Sequence, residues 1–302
     1  MRALIIGFGS IGKRHYEVLS GLNEIENVDL VTKQTIENTV CYSDLESVVN
    51  IVQYDYFIIA SETNKHFEQL EYLENTVTDK LILCEKPLFQ TKQNLEIKNN
   101  KVFVGYVLRF HPLLEKLIKF IQDEKIIVAY AKCGQYLPLW RPDTDYRKCY
   151  SAKKIDGGGV LLDLSHEIDY VQWLCGQIID VKSYQTKVSD LEIDSDDLTM
   201  LIGRTNKSVF VNISIDYISK QTHRSLLLET IENTYKIDFI SNRLVKKNKV
   251  GIEEVYSFSN LERNYMFEKM HLDAINDCKV ICSLKEAMNV METISTIQEQ
   301  NK

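Results

Sequence analysis

The sequence RALIIGFGSIGKRH, residues 2–15, decides the fold of the first part of the chain. A short apolar run is followed by glycines in the spacing Gly-x-Gly-x-x-Gly and then by a helical pattern. Gly7 permits a tight turn, Gly9 lets the backbone approach a pyrophosphate, and Gly12 allows the helix to pack on the strand. The stretch predicts a helix N-terminus that binds dinucleotide phosphates, with a ligand-free glycine turn as the alternative. The residues predicted to line this phosphate site are Gly7, Phe8, Gly9, Ser10, Ile11 and Gly12.

Further apolar runs follow in the first third of the chain, with helical segments between them. They are Val28–Val31, Tyr56–Ala60, Leu81–Cys84 and Val102–Val107. Runs that are apolar on both faces are typical of a parallel sheet with helices on both sides. We therefore predict an α/β chain that begins with a doubly wound Rossmann domain at residues 1–120.

The pattern changes after about residue 120. The segment 208–217, SVFVNISIDY, alternates apolar and polar residues, which predicts a strand in a sheet with unlike faces. Similar runs predict a second domain at 121–302, built on a large, mainly antiparallel sheet. Ser283-x-x-Glu286 forms a capping box ahead of a helix at about 284–299.

Bulk composition excludes several classes of protein. The formal net charge of -7 argues against a large nucleic-acid footprint, and the lack of any window near 18 uninterrupted apolar residues argues against a membrane helix. The chain has 7 cysteines without a Cys-x-x-Cys pair. We interpret them as reduced cysteines of a cytoplasmic protein, and we expect no metal site.

The end of the second predicted strand bears on the choice of cofactor. A site for NAD usually carries Asp or Glu there, bonded to a ribose 2′-hydroxyl. Here the strand ends in Thr32 and Lys33, and Asp29 comes too early unless the strand is shorter. A cation suits a 2′-phosphate, so the sequence favours NADP over NAD.

The tripeptide Glu85-Lys86-Pro87 follows the fourth apolar run. Ligands of open α/β sheets bind beyond the carboxyl ends of the strands. A lysine in a partly desolvated cleft can exchange protons more readily than one in water. Lys86 is therefore a candidate catalytic group, and an ordinary surface lysine is the alternative.

Together these motifs resemble the Gfo/Idh/MocA family, the glucose–fructose oxidoreductase and inositol dehydrogenase type. The segments that carry the resemblance are GFGSIGKRH at 7–15, ASETNKH at 60–66, EKP at 85–87, GYVLRFHP at 105–112 and the stretch GGGVLLDLSHEID at 157–169. The resemblance implies oxidation or reduction of a sugar or cyclitol hydroxyl with NAD(P). It also implies that the open sheet joins subunits, as a homodimer or homotetramer, and that the last helix returns to the Rossmann domain. The remaining cofactor contacts that we predict are Thr32, Lys33, Ser61, Thr63, Asn64, His66, Glu85 and Lys86.

The family's catalytic segment reads Asp-x-x-x-His-x-x-Asp, and this chain has Asp163, His166 and Asp169. The spacing of Asp163 is one residue short, so this acid reaches the substrate, orients the histidine or only caps the helix. His166 is predicted to take the hydroxyl proton, with Lys86 as a relay. A helical wheel started at Leu164 places His166 and Asp169 opposite an apolar face, and a solvated polar face is the alternative. The glycines at 157–159 are expected to let the backbone pass close to cofactor or substrate and to start this helix.

The loop at 136–154 is rich in aromatic and basic residues, which suit a sugar ring and an anionic group. The predicted substrate contacts are Arg109, Trp140, Arg141, Tyr146, Arg147 and Asp169. This composition favours a nucleotide-activated or acidic sugar, and the resemblance extends to members tied to surface-polysaccharide synthesis. The alternatives are a non-catalytic, NAD(P)-binding regulator or scaffold of the same fold, and cofactor-assisted elimination or glycoside cleavage.

Overall fold

The computed structural model divides the chain into two compact units, each with its own sheet. The described residues are 1–140, 144–258 and 261–302. The first unit comprises 1–110 with 262–287, and the second comprises 111–261 with 288–302. No helix among the described residues is both long and apolar enough to cross a membrane.

Among the described residues, the sheet of the first unit has seven strands, and all except the last in the chain run parallel. In chain order they are β1 (Arg2–Ile6), β2 (Asn27–Val31), β3 (Cys41–Tyr42), β4 (Tyr56–Ile59), β5 (Leu81–Cys84), β6 (Lys101–Val104) and β15 (Cys282–Ser283). Their spatial order is β15-β6-β5-β4-β1-β2-β3. The central strands are buried on both faces, as their continuous apolar sequences predict. This is the predicted Rossmann-type sheet. Its two-residue strands β3 and β15 were not predicted from the sequence.

The α-helices that accompany this sheet in the described part of the chain are α1 (Ser10–Leu19), α2 (His66–Thr76) and α6 (Tyr265–Leu272). The inner faces of α1 and α6 join the apolar core through residues such as Val18, Leu19 and Met270. The segment that returns to the first unit late in the chain is therefore 262–287. It contains α6 and β15 and only the first turn of the last helix.

The sheet of the second unit, as far as its residues are described, has eight strands in the order β14-β13-β12-β11-β7-β10-β9-β8. They are β7 (Ile126–Gly134), β8 (Ile178–Thr186), β9 (Leu198–Thr205), β10 (Phe210–Asp216), β11 (His223–Thr230), β12 (Asn233–Asp238), β13 (Arg243–Asn248) and β14 (Glu253–Ser257). All neighbours are antiparallel except β7 and β10. The predicted strands are present, and β13 and β14 are additions because their charged sequences lack a clear alternation.

The second unit also holds α3 (Pro112–Ile121), α4 (Val160–Asp163), α5 (His166–Cys175) and most of α7 (Leu284–Gln300). Phe120 of α3 stacks on Tyr235 of β12, with ring centroids 5.9 Å apart, which places this helix outside the predicted 1–120 domain. Gln300 of α7 donates to the carbonyl oxygen of Val181 at 2.8 Å. The last helix therefore belongs mainly to the second unit and differs from the expected return to the Rossmann domain.

Candidate functional site

In the turn after β1, glycine is needed at each of the three positions for a different physical reason. Gly7 has φ +97°, and a Cβ there would lie 2.7 Å from the carbonyl oxygen of Ala60. A Cβ on Gly12 would lie 2.1 Å from the carbonyl oxygen of Gly7. At Gly9, however, a Cβ would meet no heavy atom within 4 Å. Packing within the protein thus accounts for Gly7 and Gly12, whereas the open space at Gly9 fits a ligand that approaches the backbone closely.

The N-terminus of α1 is open to an anion. Gly9 caps the helix without a side-chain hydrogen bond, and the first turn holds no acidic residue. The first intrahelical bond runs from the N–H of Lys13 to the carbonyl oxygen of Gly9 at 2.9 Å. The earlier N–H groups of the helix are therefore available to a phosphate. The residues present fit the dinucleotide phosphates predicted from the sequence.

A groove of about 580 Å³ lies beside this turn in the first unit. Its lining includes five predicted cofactor contacts, which are Gly7, Phe8, Thr32, Lys33 and Ser61. It also includes side chains that the sequence analysis did not select, which are Ser43, Asp44, Glu46, Glu62, Lys65, Glu68, Gln69 and Tyr72. The groove therefore runs along the carboxyl ends of β1, β2, β3 and β4, where a dinucleotide binds in this type of sheet.

Asp44 supplies a carboxylate close to the end of β2. Strand β3 pairs in parallel with β2 through Val31 and Tyr42, so the residues after Tyr42 lie beside those after Val31. Asp44 accepts bonds from Ser43 and from the main-chain N–H of Ser47, and the Ser43 hydroxyl is the main cause of its lowered pKa. The sequence analysis missed Asp44 because a two-residue strand leaves no periodic signal.

His66 does not face the groove and is a correction to the predicted cofactor contacts. It begins α2, its side chain is buried, and its Nδ1 lies 3.1 Å from the carbonyl oxygen of Pro87. Its Nε2 lies 3.2 Å from the carbonyl oxygen of Ser61. Burial lowers its pKa. His66 thus ties the turn after β5 to the turn after β4.

Two neighbours of His66 were also predicted to contact the cofactor. Thr63 is buried and Asn64 is exposed, and both belong to a single turn of 3₁₀-helix at Thr63–Lys65. Neither is among the residues that line the groove. Their predicted cofactor contacts stay predictions.

Lys86 follows β5, and the Lys86–Pro87 peptide bond is cis. The Lys86 side chain is half-buried. The preceding carboxylate, Glu85, is buried and accepts from the Lys86 main-chain N–H at 3.2 Å. Glu85 also lies 3.0 Å from Nε2 of His15 on α1. The dipeptide is therefore connected to the helix that starts in the glycine turn.

Arg109 is not placed for a substrate contact. Its side chain is only 2% exposed, and one guanidinium nitrogen lies 2.8 Å from Glu286 Oε1. Burial opposes the ionisation of Glu286, but the Arg109 charge and bonds from Ser283 give it a net lowered pKa. Arg109 therefore joins the 107–110 turn to the start of α7. Its partner there, Glu286, is far away in the sequence, so the sequence alone does not reveal this ion pair.

In the second unit, Gly158 and Gly159 pack closely against other parts of the protein. A Cβ on Gly158 would lie 2.1 Å from the carbonyl oxygen of Tyr150. Gly159 has φ +117°, and its Cβ would lie 2.2 Å from Asp196 Oδ1. Asp196 accepts from the N–H of Leu161 at 3.0 Å. The glycines precede the short helix α4, and not the helix of His166 as expected, and the close approach is to the 150–153 loop and to Asp196.

Asp163 is the last residue of α4 and is buried. The hydroxyl of Tyr217 donates to its Oδ2 at 2.5 Å. The Trp140 ring meets the Tyr217 ring edge-on, with centroids 5.1 Å apart. The structure therefore brings two predicted residues, Asp163 and Trp140, together around Tyr217. The sequence analysis had used Tyr217 only as the end of an alternating strand.

His166 is the first residue of α5 and is half-buried. The residues after it are enclosed: Glu167 and Asp169 are both buried, and Arg224 Nε lies 2.8 Å from Glu167 Oε1. Gln172 accepts from the N–H of Ile178 at 2.9 Å. The predicted one-sided burial of this helix is wrong, because Glu167, Asp169 and Gln172 are buried as well as its apolar residues. Neither an exposed acid–histidine face nor a solvated polar face is present.

The 144–154 loop pairs its arginine internally. Arg147 contacts both oxygens of Asp145, at 2.8 and 3.1 Å, and lies 3.2 Å from Glu192. The Tyr146 hydroxyl accepts from the N–H of Glu192 at 3.2 Å. Arg141, the other predicted cation, lies outside the described residues. The positive charge expected for an anionic substrate is therefore neutralised at Arg147.

Two protein families match the chain in order. Residues 1–104 match the family described as "Oxidoreductase family, NAD-binding Rossmann fold", and residues 125–237 match the "GFO/IDH/MocA C-terminal domain". The chain belongs to the Gfo/Idh/MocA family. The predicted family, its oxidoreductase class and its NAD-binding Rossmann fold are thus confirmed. No curated protein matches the chain in sequence.

Solved structures share the fold at low sequence identity. A levoglucosan dehydrogenase in complex with NADH has a TM-score of 0.85 and 14% identity, covering 99% of this chain and 96% of that chain. A UDP-N-acetylglucosamine 3-dehydrogenase, GnnA from Acidithiobacillus ferrooxidans, has a TM-score of 0.77 and 16% identity, covering 100% and 97%. A putative NADPH-dependent oxidoreductase from Desulfitobacterium hafniense has a TM-score of 0.80 and 14% identity, covering 99% and 95%.

Proposed function

We propose that the protein is an NAD(P)-dependent dehydrogenase or reductase of a sugar, acting at a hydroxyl or ketone carbon. The observation that carries the proposal is the open space at Gly9 beside an uncapped helix N-terminus. Protein packing does not require a glycine there, whereas a dinucleotide phosphate does. The family membership supports the same conclusion, and two fold relatives carry the names of sugar dehydrogenases.

A bound nicotinamide would supply the hydride acceptor or donor. The chain must then move the proton of the sugar hydroxyl, and we assign that task to His166 as base and Lys86 as relay. Both side chains are half-buried, so neither is fully enclosed by the protein. Asp163 already accepts from Tyr217, so we assign it to the orientation of the 160–166 segment.

The substrate that we propose is a sugar that reacts at one of its hydroxyl groups. A narrower class, a nucleotide-activated or acidic sugar for surface polysaccharides, was predicted from the cations of the 136–154 loop. Arg147 is paired with Asp145 and Glu192, so that class now depends on Arg141. Trp140 and Tyr146 remain proposed contacts for the sugar ring, because both line one small cavity.

The choice between NAD and NADP depends on charges at the ends of β2 and β3. Lys33 predicts NADP, but Asp44 and Glu46 line the same groove and oppose a 2′-phosphate. We therefore propose that NADH binds more tightly than NADPH. Fluorescence titration tests it: Asp44→Asn should raise the affinity for NADPH relative to NADH, and Lys33→Ala should lower it. An unchanged ratio in Asp44→Asn would contradict the assignment of Asp44.

The activity is tested by incubating the full chain with NAD or NADP and a panel of neutral, acidic and nucleotide-activated sugars. Formation of the reduced cofactor is followed by absorbance, and the reverse reaction is tested with keto sugars. Turnover on at least one sugar is expected. Tight cofactor binding without turnover on any sugar would favour the alternative, a non-catalytic regulator or scaffold of the same fold.

We propose that the open face of the eight-stranded sheet joins two copies of the chain. Register places Tyr130, Met200, Ile202 and Phe210 on one face, and each is at least 42% exposed. Lys132, Lys182, Asp180 and Glu229 share this face, so it carries both signs of charge and can complement itself. Light scattering should show a dimer or tetramer that Ile202→Lys with Phe210→Lys dissociates. A monomeric parent chain would contradict the proposal.

A further inference from the structure

Four buried titratable side chains form one continuous row in the first unit. Tyr56 OH lies 2.8 Å from His271 Nδ1, His271 Nε2 lies 2.9 Å from His15 Nδ1, and His15 Nε2 lies 3.0 Å from Glu85 Oε1. Tyr56, His15 and His271 are no more than 1% exposed, and Glu85 is 7% exposed. The row joins β4, α6, α1 and the end of β5. Its residues come from four separate parts of the sequence, so no local pattern predicts it.

The proton positions in the row follow from donor and acceptor counts. Among the described residues, the Tyr56 hydroxyl has His271 Nδ1 as its only hydrogen-bond partner. If the hydroxyl accepted, its own buried proton would lack a partner, so it donates. His271 then carries its proton on Nε2 and donates to His15, and His15 carries its proton on Nε2 and donates to Glu85. All three bonds point the same way and end on a carboxylate.

The surroundings support this order. Burial raises the pKa of Tyr56 well above its ordinary value, which keeps the hydroxyl protonated. Burial, with a smaller effect of His15, lowers the pKa of His271, which keeps that ring neutral. The other titratable groups that interact with Glu85 or Tyr56 are Arg14 on α1, His66 on α2, Cys84 on β5 and Cys278 after α6.

The far end of the row is built around the Glu85 carboxylate. A Cβ on Gly105 would lie 2.7 Å from Glu85 Oε1, so the absence of a side chain there makes room for the carboxylate. The second oxygen, Oε2, accepts from the main-chain N–H of Lys86 at 3.2 Å. Whatever fixes the Glu85 carboxylate therefore also fixes the peptide from which the Lys86 side chain projects.

We propose that His15 is a positioning residue for Lys86: the row Tyr56–His271–His15–Glu85 holds the Glu85 carboxylate against the Lys86 main chain. Because His15 lies on the helix that begins in the glycine turn, the row links the phosphate site to the lysine. The inference rests on the proposed function for the role of Lys86, but the row itself does not depend on catalysis.

Two readouts that need no turnover test the proposal on the full chain. The first is ¹⁵N imidazole NMR, with His15 and His271 assigned from His15→Gln and His271→Gln. Both rings should carry a proton on Nε2 and accept a hydrogen bond at Nδ1. Tyr56→Phe should shift the Nδ1 resonance of His271, which loses its hydrogen-bond donor, whereas Tyr54→Phe, which removes the bond of a buried tyrosine to Asp29, should not.

The second readout is competitive acetylation of lysines at a single pH, measured by mass spectrometry. In His15→Leu the acetylation rate of Lys86 should rise by about twofold or more, because Glu85 no longer holds the main chain from which this side chain projects. His15→Gln, whose amide can still donate to Glu85, should reverse at least half of that rise. Lys65, which pairs with the exposed Glu62, should keep its rate and serves as the internal control.

A Lys86 acetylation rate in His15→Leu equal to that of the parent chain would overturn the positioning role. A proton on Nδ1 of His271 in the parent chain would overturn the row. If His15→Leu does not fold, the Tyr56→Phe spectra decide, and a His271 signal identical to that of the parent chain overturns the proposal. A chain that passes both tests but turns over no sugar contradicts only the proposed function.

Discussion

The Tyr217 hydroxyl donates to Asp163 Oδ2 at 2.5 Å, and this bond fixes the acid whose spacing departs from the family pattern. Burial and the Asp163 charge raise the pKa of Tyr217 well above its usual value, so the hydroxyl stays a donor at neutral pH. Asp163 ends α4 and does not cap α5, whose N-cap is Ser165. The shortened spacing therefore directs this carboxylate to the end of β10.

Replacing Tyr217 with Phe should lower the free energy of unfolding by about 1–3 kcal/mol, because a buried carboxylate loses a hydrogen-bond donor. Urea unfolding at pH 7 measures the change. Tyr184→Phe is the matched control, since Tyr184 is 74% exposed in the same unit and should change stability little. Equal stabilities of the two variants would show that the Tyr217–Asp163 bond contributes nothing.

Gly9 and Gly12 should respond in opposite ways to an added methyl group. Gly12→Ala places a Cβ 2.1 Å from a carbonyl oxygen, so the melting temperature should fall by several degrees. In Gly9→Ala the added methyl group meets no protein atom within 4 Å, so the melting temperature should be kept. The affinity for NADH should fall at least about tenfold, because the methyl group prevents the phosphate from approaching the backbone closely. Thermal melts and fluorescence titration measure both. Unchanged NADH affinity in Gly9→Ala would contradict the assignment of the phosphate site.

Arg109 should matter for stability and not for ligand binding. Arg109→Met removes one partner of Glu286, which Ser283 also contacts, and should lower the free energy of unfolding by about 1.5–3 kcal/mol, the range for hydrogen bonds to charged groups. The dissociation constant for NADH and the KM for any sugar that turns over should stay within about twofold of the parent values. A selective rise in KM without loss of stability would restore Arg109 as a substrate contact.

Buried tyrosines should make the fold sensitive to alkali. Burial is the main cause that raises the pKa values of Tyr56, Tyr170 and Tyr217. Because these pKa values are higher in the folded state, their contribution is complete below the unfolded pKa of about 10 and is lost as the pH rises above it. Phenolate absorbance should therefore rise in two phases, the second coinciding with loss of circular dichroism. A single phase near pH 10 in the folded state would contradict the burial.

Several strands and one helix start could be predicted from short sequence patterns, because neighbouring residues determine them. The apolar runs of β1, β4 and β5 and the alternation of β10 are present as predicted. The Ser283–Glu286 capping box is also present, since each residue bonds to the main-chain N–H of the other. These features depend on residues within a few positions of one another.

Partners distant in sequence explain what was missed. Arg109 forms an ion pair with Glu286, His66 lies in hydrogen-bond contact with the carbonyl oxygen of Pro87, and Asp163 accepts a hydrogen bond from Tyr217. From the sequence, each of these polar residues is predicted to contact a ligand, because no neighbouring residue indicates the distant partner that it bonds to in the fold. The helical wheel of α5 failed for the same reason, since Arg224 offsets the burial of Glu167.

The most direct test of the account is turnover by Lys86→Ala. On the sugar that the parent chain oxidises or reduces, kcat should fall by about 10²-fold or more, because a positioned proton-transfer group contributes that much. NADH affinity and melting temperature should stay close to those of the parent chain. Near-normal kcat in Lys86→Ala, with cofactor binding and fold intact, would contradict the central claim that this chain is a sugar dehydrogenase working through Lys86.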